Sequence, residues 1–390
     1  MITVSEALDQ LFALVRPTGV EYVPLIEAAG RSLALDVSAG RDQPPFAASS
    51  MDGYAIRADE AQPAAMFKVV GEAAAGHRWQ GSVAAGQAVR IFTGAPVPDG
   101  AGFVAIQEDV TRKGDLITLN PDLGSKNNIR PAGADFTSGT TMTAPRLLSP
   151  QDVALLASMN VATVPVYRKP VVAIIATGDE LVMPGESPSP DQIIASNSFG
   201  LHAMLRNLGA DPRLLPIARD TERSHETAFD LAAGADLILT IGGASVGDHD
   251  LVAGVAARLG MEQSFYKVRM RPGKPLMAGT LNGSAMVGLP GNPVSAMVCG
   301  QIFVAPMIRV MLGQPPAPTP RQNAQLAAPL GANGPREHYM RARVEAGKIT
   351  AHDRQDSSLL TVLASANALL VRAPDDPAQP VGTLVSYIPI

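Results

Sequence analysis

The sequence predicts a multidomain α/β protein centred on a doubly wound sheet, with a smaller β domain inserted ahead of it. Three observations carry this. At 390 residues the chain exceeds one ordinary domain and points to two to four. Between 169 and 314, near-continuous apolar runs alternate with helical stretches, the pattern of a parallel sheet covered on both faces. Between Arg41 and Thr140 that rhythm gives way to short strands broken by glycine and proline turns.

In chain order, Val4, Leu8, Leu11 and Val15 share one helical face, and Thr3 with Glu6 has capping-box spacing. A second helical stretch is expected over Pro24 to Ala34. A third follows Ser149, Pro150 and Asp152 and stops at Asn160. These segments are assigned to a helical N-terminal domain, 1–42 and 140–168, interrupted by a β domain, 43–139. The β domain carries MFKVV (66–70), AVRIF (88–92) and DLITL (115–119) as strands, and Asp52-Gly53 as a turn signal.

The α/β domain, 169–314, reads as strands 171–176, 213–218, 235–241, 266–270 and 285–289. Helices are expected around 197–208, 224–233 and 251–259, with a long one from Pro293 to about Met311. QPPAPTP, 314–320, is a stiff linker. The last segment, 321–390, with YMRARVE (339–345) and TLVSYIPI (383–390), is a small β domain.

Composition excludes several functions. The chain is 46% hydrophobic, has no run of 18 apolar residues, and so is expected to be soluble without a membrane span. A net charge of -5 offers no footprint for nucleic acid, so any anion must be caught locally. One cysteine, Cys299, cannot form an intramolecular disulfide, and MITVSEALDQ has no signal-peptide pattern. A reducing cytoplasm is expected.

In an open α/β sheet, ligands sit beyond the carboxyl ends of the strands. Those loops here hold TGDEL (177–181), Asp220, and GGASVGDHD (242–250) with Asp248 and Asp250. Convergent carboxylates repel by about 4 kcal/mol at 4 Å in a protein-like dielectric, which calls for a hard cation such as magnesium. Each acid is equally well explained as a helix cap or Asx-turn residue.

Lys267, Arg269 and Arg271 alternate onto one side of their segment, followed by Lys274 in PGKP; they imply an anion, or else a solvated edge strand. LPGNPVSA (289–296) places Asn292 as a cap and Pro293 at the first helical position, where free backbone N–H groups hold oxyanions.

Gly243 to Gly247 match the G-x-S-x-G nucleophile elbow at Ser245, with His338 and His352 as downstream histidines. Asp-His-Asp, however, separates the match from the next helix. GKP at 273–275 is no P-loop, since Val268 and Pro275 occupy positions that need glycine and Ser or Thr. Cys299 reads as core, and the single Trp79 gives no stacking platform for single strands.

PPFAASSMDGYAI (44–56), RIFTGAPVP (90–98), IRPAGADF (129–136), TGDEL, GGASVGDHD, RPGKP and LPGNPVSA, in this order and spacing, resemble the molybdopterin molybdenumtransferases, the MoeA and gephyrin E-domain family. The resemblance spans essentially the whole chain. It implies a molybdopterin-binding-type α/β domain and a C-terminal β-barrel. It further implies a cytoplasmic homodimer whose cleft lies between the α/β domain of one subunit and the inserted β domain of the other.

The implied reaction is magnesium-dependent insertion of molybdate into adenylylated molybdopterin, releasing AMP. The implied partners are a molybdopterin adenylyltransferase and downstream cofactor-processing proteins or molybdoenzymes. Carried over by motif, the catalytic positions are Asp52, Asp250, Lys267 and Arg271. Thr93, Asp135, Glu180, Asp220, Ser245, Lys274, Pro290, Asn292 and Pro293 are substrate-binding, with Glu180, Asp220 and Asp250 as metal ligands. Arg271 stands where some members have lysine, and Ala47, Ala48, Ala134 and His249 also depart from frequent family residues. A scaffold of the same fold, or a hydrolase using Ser245, remain alternatives.

Overall fold

The computed structural model describes residues 1–243 and 251–390. The chain divides into two compact units. One comprises Met1–Glu21, Gly30–Ala34 and Pro165–Ile390, the other Tyr22–Ala29 and Leu35–Val164.

The first unit is built on a six-stranded sheet in the order Asp211–Leu214, Val171–Ala176, Leu237–Ile241, Ser284–Leu289, Met277–Leu281, Glu262–Phe265. The first four strands are parallel, Met277–Leu281 runs antiparallel to them, and Glu262–Phe265 is antiparallel to Met277–Leu281 in turn. Side-chain alternation gives each face its own core. Ile174, Leu239 and Val287 pack with Leu201, Leu205 and Ile302, while Ala173, Ile175 and Met286 pack with Phe229, Val252 and Val255. Each buried Leu, Ile or Phe contributes roughly 1.5–3 kcal/mol.

Two sequence expectations shift here. The strand expected at 266–270 is not in this sheet; the edge strand is Glu262–Phe265, and Met270–Arg271 instead pairs with Glu337–His338 of the C-terminal segment. The strand expected at 213–218 begins at Asp211, and its regular part ends at Leu214. The sequence reading also overlooked the Met277–Leu281 strand. Asn282 and Gly283, both at positive φ, close a two-residue hairpin between it and Ser284–Leu289, an Asn-Gly signal present in the sequence.

The run from Pro293 to Met311 is long and apolar enough to cross a membrane by composition, but 83% of its most apolar 18-residue window is buried, as in a core helix. Its middle, Gly300–Val304, is a π turn. Pro306 explains this, because it has no N–H to give to the carbonyl one turn back. Helix Val4–Ala13 buries Val4, Ala7, Leu8 and Leu11 in the same core, and both hydrogen bonds of its Thr3–Glu6 capping box form, at 2.7 and 3.2 Å. Beyond the linker, Glu337–Glu345, Lys348–Ala351, Gln322–Leu326, Leu384–Pro389 and Ala368–Arg372 pair in turn. The last strand pairs back onto the first, closing a five-stranded barrel.

The second unit holds a six-stranded sheet ordered Phe103–Ile106, Gly53–Ile56, Gln87–Ile91, Met66–Ala73, Leu116–Leu119, Val110–Lys113, with apolar clusters on both faces. Gly53 opens a strand rather than forming a hairpin turn. A side chain there would collide with the carbonyl of Ala105 on the neighbouring strand. Helix Pro150–Ser158 starts at Ser149 with a capping box to Asp152, and Asn160 adopts positive φ just beyond it. The helix expected over Pro24 to Ala34 does not form. Pro24 ends the strand Val20–Pro24, followed only by the 3-10 turn Leu25–Glu27 and the two-residue strand Ser32–Leu33; the turn has no side-chain cap, and Ile26 is largely exposed.

Candidate functional site

The carboxyl ends of strands 171–176, 237–241 and 284–289 are tied together. Thr177 N–H donates to Ile241 O at 3.0 Å, Gly242 N–H to Leu289 O at 3.1 Å, and Gly178 N–H to Ala218 O at 3.0 Å. Beyond this edge lies a cleft of about 760 Å³. It is lined by Glu180, Asp220, Pro290, Asn292 and Pro293, all anticipated from sequence, and by Asn197, His225 and Ser358, which were not.

The acid loops are held rigidly. Asp220 N–H donates to Asp179 Oδ1 at 3.1 Å and Asp179 N–H to Asp220 Oδ2 at 3.3 Å, so each carboxylate fixes the other residue's backbone. Arg219 Nη1 donates to the carbonyls of Gly178, Asp179 and Leu181 at 3.3, 3.2 and 2.8 Å, pinning the TGDEL loop. Sequence reading missed Arg219, which stands beside Asp220 with nothing in its spacing to mark it. Among the described residues no three of His, Cys, Asp and Glu converge tightly enough to hold a metal ion. Asp250, the third acid expected there, and Ser245 lie outside the described residues.

At the helix start, Asn197 Nδ2 donates to Gly291 O at 2.7 Å and shapes the PGNP turn. The N–H groups expected to be free there are not all free. Val294 N–H donates to Ser357 O at 3.0 Å, so a C-terminal segment caps part of the first turn.

Lys267, Arg271 and Lys274 do not line this cleft; they lie on a neighbouring loop closed by Val268 N–H to Lys274 O at 3.0 Å. Val268 and Met270 are buried and the cations point outward, so the alternation holds although the regular strand does not. Lys267 Nζ stands 5.2 Å from the Tyr266 ring. Gly273, at φ 101, packs against Cys299 so closely that any side chain would strike the thiol. Cys299 is fully buried, burial pushes its thiol pKa well up, and it serves as packing.

The C-terminal barrel adds residues that sequence reading assigned no role in an anion site. Arg341 is 0% exposed, yet its Nε and Nη1 have no hydrogen-bond partner among the described residues. Only Nη2 is used, donating to Asp356 O at 3.1 Å. His338, 6% exposed, likewise has no partner at Nε2. Burial first, then the charges of Arg271, Arg341, Arg372 and Arg336, push its pKa down to about 4. Burial and the charge of Arg271 also lower the pKa of Arg341. A buried guanidinium half unpaired among like charges is costly, and an oxyanion would satisfy it. The 356–358 segment links this cluster to the cleft, since Ser358 lines the cleft and Ser357 caps its helix.

In the second unit, Asp52 Oδ1 accepts two bonds from Thr93, from its N–H and its hydroxyl, both at 2.8 Å. These bonds, the backbone one foremost, and then the charge of Arg90 hold the Asp52 carboxyl below its ordinary range. Arg90 stacks on Tyr54 and Phe92 at 5.0 and 4.8 Å and donates to Gly53 O at 3.2 Å. Asp135 is exposed, its backbone N–H donating to Gln43 O at 2.9 Å, and no bond joins it to Asp52.

Comparison with known proteins accords with this layout. Sequence models described as "MoeA N-terminal region (domain I and II)", "Probable molybdopterin binding domain" and "MoeA C-terminal region (domain IV)" match residues 2–160, 173–310 and 323–390. Curated relatives include a molybdopterin molybdenumtransferase of Haemophilus influenzae, 37% identical over 80% of this chain and 78% of that protein. Molybdopterin molybdenumtransferase 2 of Mycobacterium tuberculosis is 35% identical over 89% of each chain. Among solved structures, a molybdopterin biosynthesis moeA protein from Pyrococcus horikoshii superposes with a TM-score of 0.86 at 28% identity, covering 100% of both chains. The chain therefore belongs to the molybdopterin molybdenumtransferase family.

Proposed function

We propose that this chain inserts molybdenum from molybdate into adenylylated molybdopterin and releases AMP, acting as a homodimer in a reducing cytoplasm. The observation that carries the reading is Arg341, a fully buried guanidinium with two nitrogens unpaired among the described residues, tied through Asp356 to the segment whose Ser358 lines the acid-lined cleft. Molybdate is a tetrahedral dianion with several acceptor oxygens, which suits Arg341 together with Arg271. Behind Pro293, the N–H groups of Val294 and Ala296 are taken and, among the described residues, that of Ser295 remains; with the cations Lys267 and Lys274 it supplies positive potential for a pyrophosphate.

Asp220 and Glu180 line the same cleft as hard oxygen donors, with Asp220 held by Asp179, and such a pair fits magnesium together with phosphate oxygens. When bound, that ion would neutralise pyrophosphate charge. Asp250 is proposed as the third acid of the set. Asp52, held ionised by Thr93, is proposed to accept the proton of a water whose oxygen bonds to the AMP phosphorus as the phosphoanhydride P–O bond breaks and AMP leaves. Asp135 is proposed to bind substrate beside it. The site is proposed to be completed across the dimer, the β unit of one copy serving the α/β unit of the other. Tyr22, Ile26, Leu35 and Leu147, all exposed on the second unit, supply apolar surface for that association.

The direct test incubates the purified protein with adenylylated molybdopterin, molybdate and magnesium. Formation of AMP and metal-loaded cofactor is expected, and absence of both contradicts the reading.

A further inference from the structure

We propose that His225 binds the substrate, its Nε2 accepting a hydrogen bond from an N–H or O–H of the pterin nucleotide in the sheet-edge cleft. This deepens the reading given under Proposed function and rests on it. His225 lies in the second turn of the helix Glu222–Leu231, five residues beyond Asp220, and forms part of the cleft wall. It is 2% exposed, on the helix face that also buries Ala228 and Phe229. Packing on that face calls for an apolar side chain, and the imidazole is the polar exception.

Its tautomer follows from its partner. His225 Nδ1 lies 3.0 Å from Thr221 O, and a carbonyl can only accept, so Nδ1 carries the proton. In the neutral ring Nε2 is then a fixed lone pair, and no described residue is hydrogen-bonded to it. A lone pair disfavours phosphate or molybdate oxygens and favours a donor. The pterin nucleotide offers such donors as pterin N–H groups, ribose hydroxyls and the adenine amine. The chemistry is therefore complementary to that at Arg341: cations take the oxyanions, and His225 takes a neutral donor. A buried ligand donor left without its acceptor loses affinity, which makes His225 a determinant of specificity.

The test measures equilibrium binding of adenylylated molybdopterin, and of AMP alone, to wild-type protein, His225→Leu and His225→Gln, with thermal midpoints recorded for each. His225→Leu is expected to keep its thermal midpoint and to bind the pterin nucleotide about tenfold more weakly. His225→Gln, whose side-chain oxygen can replace Nε2, is expected to recover most of that affinity. Parallel weakening for AMP places the donor on the nucleotide, whereas unchanged AMP binding places it on the pterin. If leucine prevents folding, His225→Phe takes its place. Equal binding of both ligands by wild-type protein and His225→Leu would overturn the inference, as would His225→Gln binding as weakly as His225→Leu. Wild-type protein that binds neither ligand would instead refute the functional reading itself, and the inference with it.

Discussion

Asp52 and Thr93 stand 41 residues apart in sequence, and one carboxylate oxygen of Asp52 accepts both donors of Thr93 at 2.8 Å. The pair locks the carboxylate's orientation and stabilises its charged form. A carboxyl with a lowered pKa stays ionised as pH falls, and its charge is lost only when pH drops through that lowered value.

Thr93→Val removes the hydroxyl bond and leaves the backbone bond. The acid limb of the kcat/KM pH profile should therefore move to higher pH in this variant, with the plateau less affected. Asp52→Asn should lower kcat by roughly 100-fold or more at all pH values. A valine variant with an unshifted acid limb would remove Asp52 from the reaction.

Arg341 separates binding from stability. Replacing a buried, partly unpaired cation by an apolar side chain of similar length removes its desolvation cost. Arg341→Met should therefore keep or raise the thermal midpoint while weakening molybdate binding about tenfold or more. Arg341→Lys should bind better than methionine but below wild type, since a point charge cannot reproduce the fork. Methionine that leaves molybdate affinity unchanged would remove the anion from this site.

His338 gives a pH signature. Its pKa of about 4 in the fold lies below the ordinary 6.5, so the unfolded chain binds its proton first. The stability from burying it neutral is complete above pH 6.5 and lost as pH falls towards 4, by about 3 kcal/mol. Urea midpoints should fall through this window in wild type and be flatter in His338→Gln. Identical slopes would mean that the ring is not buried as a neutral group.

The proposed completion of the site across two copies predicts complementation. Asp52→Asn and Arg271→Ala are each expected to be inactive alone. Equimolar mixing with subunit exchange should restore about a quarter of wild-type activity, because half of the dimers are hybrids with one intact site each. An inactive mixture that has exchanged subunits would place both residues in one subunit's site.

Much of this was legible in the sequence because local rules and tertiary needs coincide. Thr3 and Ser149 cap the helices that their spacing announced, and Val171–Ala176 is the strand its apolar run required. The acids at strand ends were legible because an open α/β sheet directs its loops to one edge, and Glu180 and Asp220 share a cleft there.

The failures are equally specific. The helix expected over Pro24 to Ala34 has no side-chain cap to start it, and only a 3-10 turn forms there. The 266–270 segment has the alternation of a strand, but its backbone partners are Ile2 and the C-terminal barrel rather than the sheet edge. Arg341 and Arg343 alternate identically in YMRARVE, yet one is fully buried and the other exposed. Sharing a face with the buried Tyr339 was the available signal, but burial of an arginine depends on barrel closure, which no local pattern encodes.

The most direct measurement is the ratio of AMP released to molybdenum incorporated by the wild-type protein with adenylylated molybdopterin and magnesium, as molybdate is varied. One AMP per molybdenum, with no AMP above background when molybdate is withheld, is the expected result. AMP release that ignores molybdate, or molybdenum incorporation without AMP, would contradict an insertase whose anion site at Arg341 is coupled to cleavage in the acid-lined cleft.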